Sequence, residues 1–369
     1  MSKRIFNFSA GPATMPLEVM KIAASEFLNY NDMGMSIIEM SHRTKVFEAV
    51  LEKAKSGIKK HLSVPDTHEI LFIQGGASLQ FSMVPLNIAQ EGKRVALINT
   101  GSWTKKALKE IKKETQCDVI ATSDDKNFTY IPEFNQTLNS NDTSFAYICS
   151  NNTIFGTQYK SFPDTGDVPL VADMSSDILS RKIDVSKFGI IFAGAQKNIG
   201  PSGITVVIIR KDLLSRSNET LPSMLNYNSY AEANSLNNTI PTFPVYMISN
   251  VMNWIETQGG INAIETRNNE KAQMLYDAID ESDYYYCPVD KDVRSLMNVV
   301  FRLNDSEEKE KEFYLQAEKE GLSGLKGHRS VGGLRASIYN AHPVEGVEAL
   351  IGFMKKFQAA NQAKSQVLA

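Results

Sequence analysis

The sequence predicts an α/β fold, and three features carry the prediction. From residue 70 onward, short and continuously apolar β-branched runs alternate with segments of helical period. Gly, Asn, Asp and Ser punctuate the runs, as turn residues do. Beyond residue 280 the order changes to strand, helix, strand, helix, the pattern of a smaller α+β unit.

The first apolar run is Ile70–Ile73, followed by Gln74-Gly75-Gly76-Ala77-Ser78 and a helix. In that helix Leu79, Met83 and Leu86 share one face while Phe81, Val84 and Ile88 share another, so it should be buried nearly all round, with a kink at Pro85. Further runs are Val95–Asn99, Val119–Thr122, Ala146–Ser150, Leu170–Asp173 and Ile190–Ala193. Strands this short and apolar fit a parallel sheet covered on both faces. Lys105, Lys109 and Lys112 recur at i, i+4 and i+7 opposite Leu108 and Ile111, which marks a solvated helix face, and the charges of 307–320 read the same way. Ile204–Ile209 is expected as an antiparallel edge strand. The stretch Leu213–Pro244, rich in Asn, Ser and Pro, fits neither period and is long for an idle connection. Val245–Glu256 and Ile261–Ile279 read as helices, the second long enough to connect two lobes. The strand Asn298–Leu303, a helix over Ser306–Glu320, the strand Leu334–Tyr339 and a helix over Val344–Ala359 complete the chain; Asp305 and Glu308 are spaced as a capping box and Gly321 is a natural stop.

With 369 residues the chain has room for two or three domains, and its 42% apolar and 22% charged residues exclude a mainly disordered polymer. A net charge of −3 offers no basic excess for nucleic acid. Cys117, Cys149 and Cys287 form no Cys-x-x-Cys pair, so reduced core thiols are expected rather than a disulfide framework or a metal site. Residues 1–16 lack the apolar run of a signal peptide, and no run reaches the length of about 18 apolar residues for a membrane span. A soluble cytoplasmic protein is the expectation.

Three signals carry chemistry. The segment Gln74–Ser78 follows a strand and opens a helix, where free N–H donors and the positive end of the helix dipole suit a phosphate. The same glycines would equally serve a tight turn, and the spacing is neither that of a P-loop nor Gly-x-Gly-x-x-Gly. Asp173 ends an apolar strand and precedes Met174-Ser175-Ser176, so it either caps a turn or faces a ligand. Lys197 follows the next buried strand among glycines and small residues. Desolvation there favours the neutral amine, the form that attacks a carbonyl to make a Schiff base.

A phosphate cradle, a strand-end aspartate and a lysine beyond the next strand resemble the fold-type-I pyridoxal-phosphate (PLP) enzymes. Five blocks narrow the likeness: residues 7–13, 39–43, 74–78, 99–103 and 327–340 are similar, in the same order, to the phosphoserine aminotransferase family of class V aminotransferases. Parts of that family carry a basic residue in the cradle, where this chain reads Gly76-Ala77-Ser78-Leu79. The resemblance implies a fold-type-I PLP-dependent transferase with a large domain at 16–258, built on a mainly parallel seven-stranded sheet. A small domain would combine 1–15 with 259–369. Lys197 would hold pyridoxal 5'-phosphate and move the substrate proton, Asp173 would pair with the pyridinium nitrogen, and Trp103 would stack on the ring. Thr153 would hydrogen-bond the ring hydroxyl, and Ala77, Ser78 and Gln196 the phosphate, joined by Asn238 and Thr239 from the neighbouring subunit of a homodimer. Arg335 would fork onto the substrate α-carboxylate; His42, Arg43, His328 and Arg329 would surround the distal anion, with Arg43 crossing the dimer and Ser9 near the glutamate. The implied reaction is ping-pong transfer of the amino group from glutamate to 3-phosphohydroxypyruvate in serine biosynthesis. The family sometimes also uses 3-hydroxy-2-oxo-4-phosphonooxybutanoate, in pyridoxal phosphate synthesis.

Two other readings compete. A cysteine-desulfurase-like reaction would need a mobile, activated thiol, for which Cys287 is the candidate in the later domain. A catalytically inactive binding protein would have lost Lys197 or Asp173, and both are present.

Overall fold

A seven-stranded sheet organises most of the chain in the computed structural model, which describes residues 4–367. The first part comprises β1 (Phe6–Asn7), α1 (Leu17–Glu26), α2 (Lys45–Leu62), β2 (His68–Ile73), α3 (Gly76–Ile88), β3 (Arg94–Asn99), α4 (Ser102–Glu114), β4 (Cys117–Thr122), β5 (Thr143–Cys149), β6 (Leu170–Asp173), β7 (Ile190–Gly194) and β8 (Thr205–Arg210). The second comprises α5 (Lys211–Leu214), α6 (Tyr227–Glu232), α7 (Thr242–Thr257), α8 (Gly260–Asp280), β9 (Tyr285–Tyr286), β10 (Asn298–Leu303), α9 (Glu307–Lys319), β11 (Leu322–Ser323), β12 (Leu334–Ser337) and α10 (Val344–Val367).

The large sheet has the order β2-β8-β7-β6-β5-β3-β4. Strands β3 to β7 pair in parallel, and β8 runs antiparallel to both β7 and β2. Every residue of β5, β6 and β7 is buried. Side chains alternate between the two faces. Ile70, Phe72, Ile148, Ala172 and Ile191 therefore join a core with α2 and α7, while Leu71, Ile73, Tyr147, Val171 and Ile190 join one with α3 and α4.

The expected edge position of Ile204–Ile209 is corrected: β8 is antiparallel but lies inside the sheet, between β2 and β7. Its apolar side chains cover both faces, with Thr205–Ile209 fully buried, whereas the edge strand β4 leaves Val119 exposed. Two helices before residue 70 were not anticipated. In α2, Phe47, Val50, Leu51, Ala54, Ile58 and Leu62 form one buried stripe, and the Thr44 hydroxyl caps the helix by accepting from the Phe47 N–H at 3.3 Å.

The segment from Leu213 to Pro244 holds α6 and the start of α7, with Pro244 tolerated in the first helical turn. Tyr227 is fully buried and donates its hydroxyl to Gln80 Oε1 at 2.6 Å, which ties this segment to α3.

In the second part β10 lies between β12 and β9, antiparallel to each. Phe301, Phe313, Leu334, Leu350 and Phe353 form its core, and Phe8 joins them while β1 pairs in parallel with β11. Helix α9 is capped by Ser306 rather than Asp305: the Ser306 hydroxyl accepts from the Lys309 N–H at 3.3 Å, and Asp305 instead accepts from the Tyr284 hydroxyl at 3.0 Å. Strand β12 stops at Ser337, and Tyr339 beyond it donates its hydroxyl to the Ala10 carbonyl at 2.7 Å. Helix α10 continues past Ala359 to Val367. Among the described residues, no helix is long and apolar enough to cross a membrane, and no cluster of His, Cys, Asp and Glu could hold a metal.

Candidate active site

The carboxyl ends of β5, β6 and β7 stand side by side, so the residues that follow them emerge together at one edge of the sheet. The helices α3 and α4 begin at the same edge, and a cleft of about 310 Å³ opens between these elements. Gly75 has φ +94° and Gly76 φ +72°, a conformation that L side chains rarely adopt, so the chain can swing from β2 into α3. A Cβ on Gly101 would lie 2.3 Å from Asn152 Nδ2, so only glycine allows α4 to start this close to the β5 end.

Asp173 is the last residue of β6 and is buried. Its Oδ1 accepts from both the backbone N–H of Ser175 at 3.0 Å and the Ser175 hydroxyl at 2.6 Å, so Oδ2 remains for a ligand. Burial raises its pKa above the ordinary carboxylate value, against the opposing pull of Lys197 and the Ser175 hydrogen bonds. Lys197 is displaced downward from the ordinary lysine value, first by burial, with Asp173 opposing and Arg335 adding to the depression. This moves the amine toward its neutral, nucleophilic form.

Trp103 sits in the first turn of α4, with Lys197 Nζ 5.6 Å from its ring centroid. Its Nε1 donates to Thr153 Oγ1 at 3.0 Å, which leaves the Thr153 proton free to donate onward. Arg335, on β12, donates Nη1 to the Thr153 carbonyl at 2.9 Å, and its buried Nε has no partner. Ala77, Ser78, Gln196 and His328 complete the expected residues lining the cleft.

The remaining candidates lie elsewhere in this single chain. Ser9 is beside Gly324, although its neighbours Ala10 and Gly11 line the cleft. His42 is buried with Nε2 unpartnered, while Arg43 and Arg329 are exposed. Asn238 donates to Gln74 Oε1 at 2.9 Å and Thr239 accepts from Gln74 Nε2 at 2.8 Å, so both are held against the residue that precedes the glycine turn.

Sequence reasoning missed Asn151 and Asn298. Asn151 lines the cleft and donates to Ser176 Oγ and Asn298 Oδ1, each at 2.8 Å. Asn298 in turn donates to Ser337 Oγ at 2.9 Å and to the Tyr339 hydroxyl at 3.1 Å. This buried chain fixes the strand that carries Arg335 relative to the cleft floor. Asn151, after a strand, has the same local signature as a turn, and Asn298 opens the strand β10, so only the fold brings the two together.

No thiol is activated. Cys287 lies outside the cleft with its pKa raised by burial, and Cys149 lines the cleft but is pushed far above the ordinary value by burial and the Asp173 charge.

A family model, the class-V aminotransferases, matches residues 5–350. The chain is 55% identical over 357 residues to the phosphoserine aminotransferase of Geobacillus kaustophilus, covering 96% of this chain and 99% of that one. It is 52% identical to the phosphoserine aminotransferase of Niallia circulans, covering 97% and 99%. Among solved structures, the phosphoserine aminotransferase from Bacillus circulans subsp. alkalophilus superposes with a TM-score of 0.95 at 51% identity, covering 98% of this chain and all of that one. A PLP-bound phosphoserine aminotransferase from Trichomonas vaginalis superposes with 0.90 at 40% identity, covering 95% and 100%. With likeness over nearly the whole length in sequence and in fold, the chain belongs to the phosphoserine aminotransferase family of fold-type-I, class-V aminotransferases.

Proposed function

We propose that this protein transfers the amino group of L-glutamate to 3-phosphohydroxypyruvate, reversibly and by a ping-pong mechanism, giving 2-oxoglutarate and O-phospho-L-serine for serine biosynthesis. The observation that carries this reading is the meeting of Lys197, Asp173 and Arg335 in one cleft: an amine, a buried carboxylate and a guanidinium with a free buried donor.

The residues present fit pyridoxal 5'-phosphate. The first turn of α3 has no side-chain cap, so its N–H groups are open to a phosphate, and a Cβ at Gly76 would meet nothing within 4 Å. When bound, the cofactor supplies an electron sink for the negative charge that builds at the substrate Cα.

Lys197 Nζ, whose lowered pKa favours the neutral amine, would hold the cofactor and would carry the proton away from the substrate Cα. Asp173, its carboxylate oriented by Ser175, would pair with the pyridinium nitrogen. Trp103 would stack on the ring, and Thr153, which accepts from Trp103 Nε1, would donate its hydroxyl proton to the ring oxygen. Ala77, Ser78 and Gln196, which line the cleft, would hold the phosphate. Arg335 takes the substrate α-carboxylate with Nε and Nη groups, while His328 and Arg329 stand on the distal-anion side with Ser9 nearby.

The reading extends to a cytoplasmic homodimer. Asn238 and Thr239 would reach the phosphate of the second subunit's cofactor, and His42 and Arg43 its distal anion. The exposure of Arg43 and the absence of these four residues from the lining of the chain's own cleft support a role across subunits. The domain division is 16–258 against 1–15 with 259–369, supported by the pairing of β1 with β11 and by Phe8 in the second core.

The test is steady-state turnover of the PLP-loaded protein with glutamate and 3-phosphohydroxypyruvate. Formation of 2-oxoglutarate and phosphoserine in equal amounts is expected; formation of neither overturns the proposal. Adding 3-hydroxy-2-oxo-4-phosphonooxybutanoate as the acceptor decides whether the chain also serves pyridoxal phosphate synthesis.

A further inference from the structure

A second cleft of about 510 Å³ adjoins the active site and shares Ile154, His328 and Arg335 with it. One wall carries Lys105 of α4, and the opposite wall is formed by β10 with the Gly327–Gly333 segment. Lys105, Arg302 and Arg335 line it, and no Asp or Glu does.

These cations are not equivalent. Arg302 is neutralised by Glu310, Nε to Oε1 at 3.0 Å. Lys105 is exposed and lies within ion-pair distance of no carboxylate among the described residues; its Nζ rests 4.7 Å from the Phe128 ring centroid. Arg335 gives Nη1 to a backbone carbonyl and keeps a buried, unpartnered Nε. The positive field is felt by His328 at the boundary between the clefts, where burial first and then Arg335, Arg329 and Lys106 lower its pKa. Phe128, Phe155, Val300 and Leu334 supply apolar wall between the charges. A low-dielectric wall around charge of one sign focuses the field and raises the local concentration of counter-charged solute.

We propose that this cleft is the entrance vestibule of the active site, and that Lys105 captures small di-anionic acids there before Arg335 takes their carboxylate. The inference rests on the aminotransferase reading above. Lys105 acts on capture alone: it is exposed, lies outside the inner cleft, and touches neither Lys197 nor Asp173, so the bound substrate reacts as fast without it.

Lys105→Glu tests this, with Lys109→Glu as control. Lys109 is also exposed on the same helix but is not among the residues lining the vestibule, and its substitution changes net charge by the same amount. At low salt, Lys105→Glu should lower kcat/KM about threefold for glutamate and about tenfold for the more highly charged 3-phosphohydroxypyruvate. The value of kcat should be unchanged, and in about 0.5 M salt the difference should collapse. Lys109→Glu should match the parent enzyme throughout. Identical behaviour of the two variants, or a loss at position 105 that high salt leaves intact, would overturn the vestibule. Binding of glutarate, a dicarboxylate with no amine to transfer, provides a readout apart from turnover. If the parent protein transfers no amino group, the functional reading fails by itself, and weaker glutarate binding by Lys105→Glu but not by Lys109→Glu would still support the vestibule.

Discussion

Replacing Arg335 by Ala removes the guanidinium that spans the cleft and its neighbouring vestibule. In the protein one Nη1–H is committed to the Thr153 carbonyl at 2.9 Å, and Nε is buried without a partner, so part of the desolvation needed to receive a carboxylate is already met in the fold. A hydrogen bond to a charged group contributes about 1.5–3 kcal/mol net, and we take about 3 kcal/mol for a two-pronged contact after arginine desolvation is offset. At about 1.4 kcal/mol per decade, that corresponds to roughly 150-fold in kcat/KM. The assay is steady-state kinetics of each direction, with glutamate and with O-phosphoserine as amino donors. Both should lose about two orders of magnitude, mainly through KM, because both carry the same α-carboxylate. Arg335→Lys should recover part of the loss by keeping the charge without the fork. A change below threefold, or a loss confined to one donor, would refute the assignment of Arg335 to the shared carboxylate.

Arg43→Ala and Arg329→Ala should instead weaken the phosphorylated substrate more than glutamate; equal losses for both would merge the two anion sites into one. Trp103→Phe keeps an aromatic ring at this position but removes the 3.0 Å bond to Thr153, so cofactor affinity should fall two- to tenfold for a contribution of about 0.5–1.5 kcal/mol; an unchanged dissociation constant would mean that Thr153 is positioned without it. His342 concerns stability rather than chemistry. Burial, helped by the Lys271 charge, holds its pKa down to about 3 against an ordinary 6.5. Between these values the unfolded chain binds a proton that the folded protein excludes, so stability rises with pH across this window and is lost as acid is added from 6.5 toward 3. Urea unfolding at pH 7 and pH 4 should show a fall of about 3 kcal/mol from this group, at about 1.4 kcal/mol per pH unit, and a shallower fall in His342→Gln. Equal pH slopes in the two proteins would remove His342 from the account.

Much of the large sheet was legible because its central strands are buried on both faces and read as short, continuously apolar runs, as the stretch ending at Asp173 does, with all four residues of Leu170–Asp173 buried. The position of β8 was not, because strand order is decided by which helices cover which faces, and Ile204–Ile209 looks the same at an edge or inside. Lys197 and Asp173 could be read as a pair because each violates the apolar pattern of its own surroundings. Asn151 and Asn298 lie 147 residues apart and meet only through the fold, so no local pattern links them. Asn238 and Thr239 became candidates only through family likeness; their bonds to Gln74 within one chain place them beside the glycine turn, and they are not among the residues lining the cleft.

The most direct test of the central claim is the visible absorbance spectrum of the PLP-loaded protein, recorded before and after glutamate and again after 3-phosphohydroxypyruvate. The account predicts a band from the cofactor linked to Lys197 that disappears with glutamate and returns with the keto acid, and that is missing from Lys197→Met. A band that ignores glutamate, or one that persists in Lys197→Met, would contradict it.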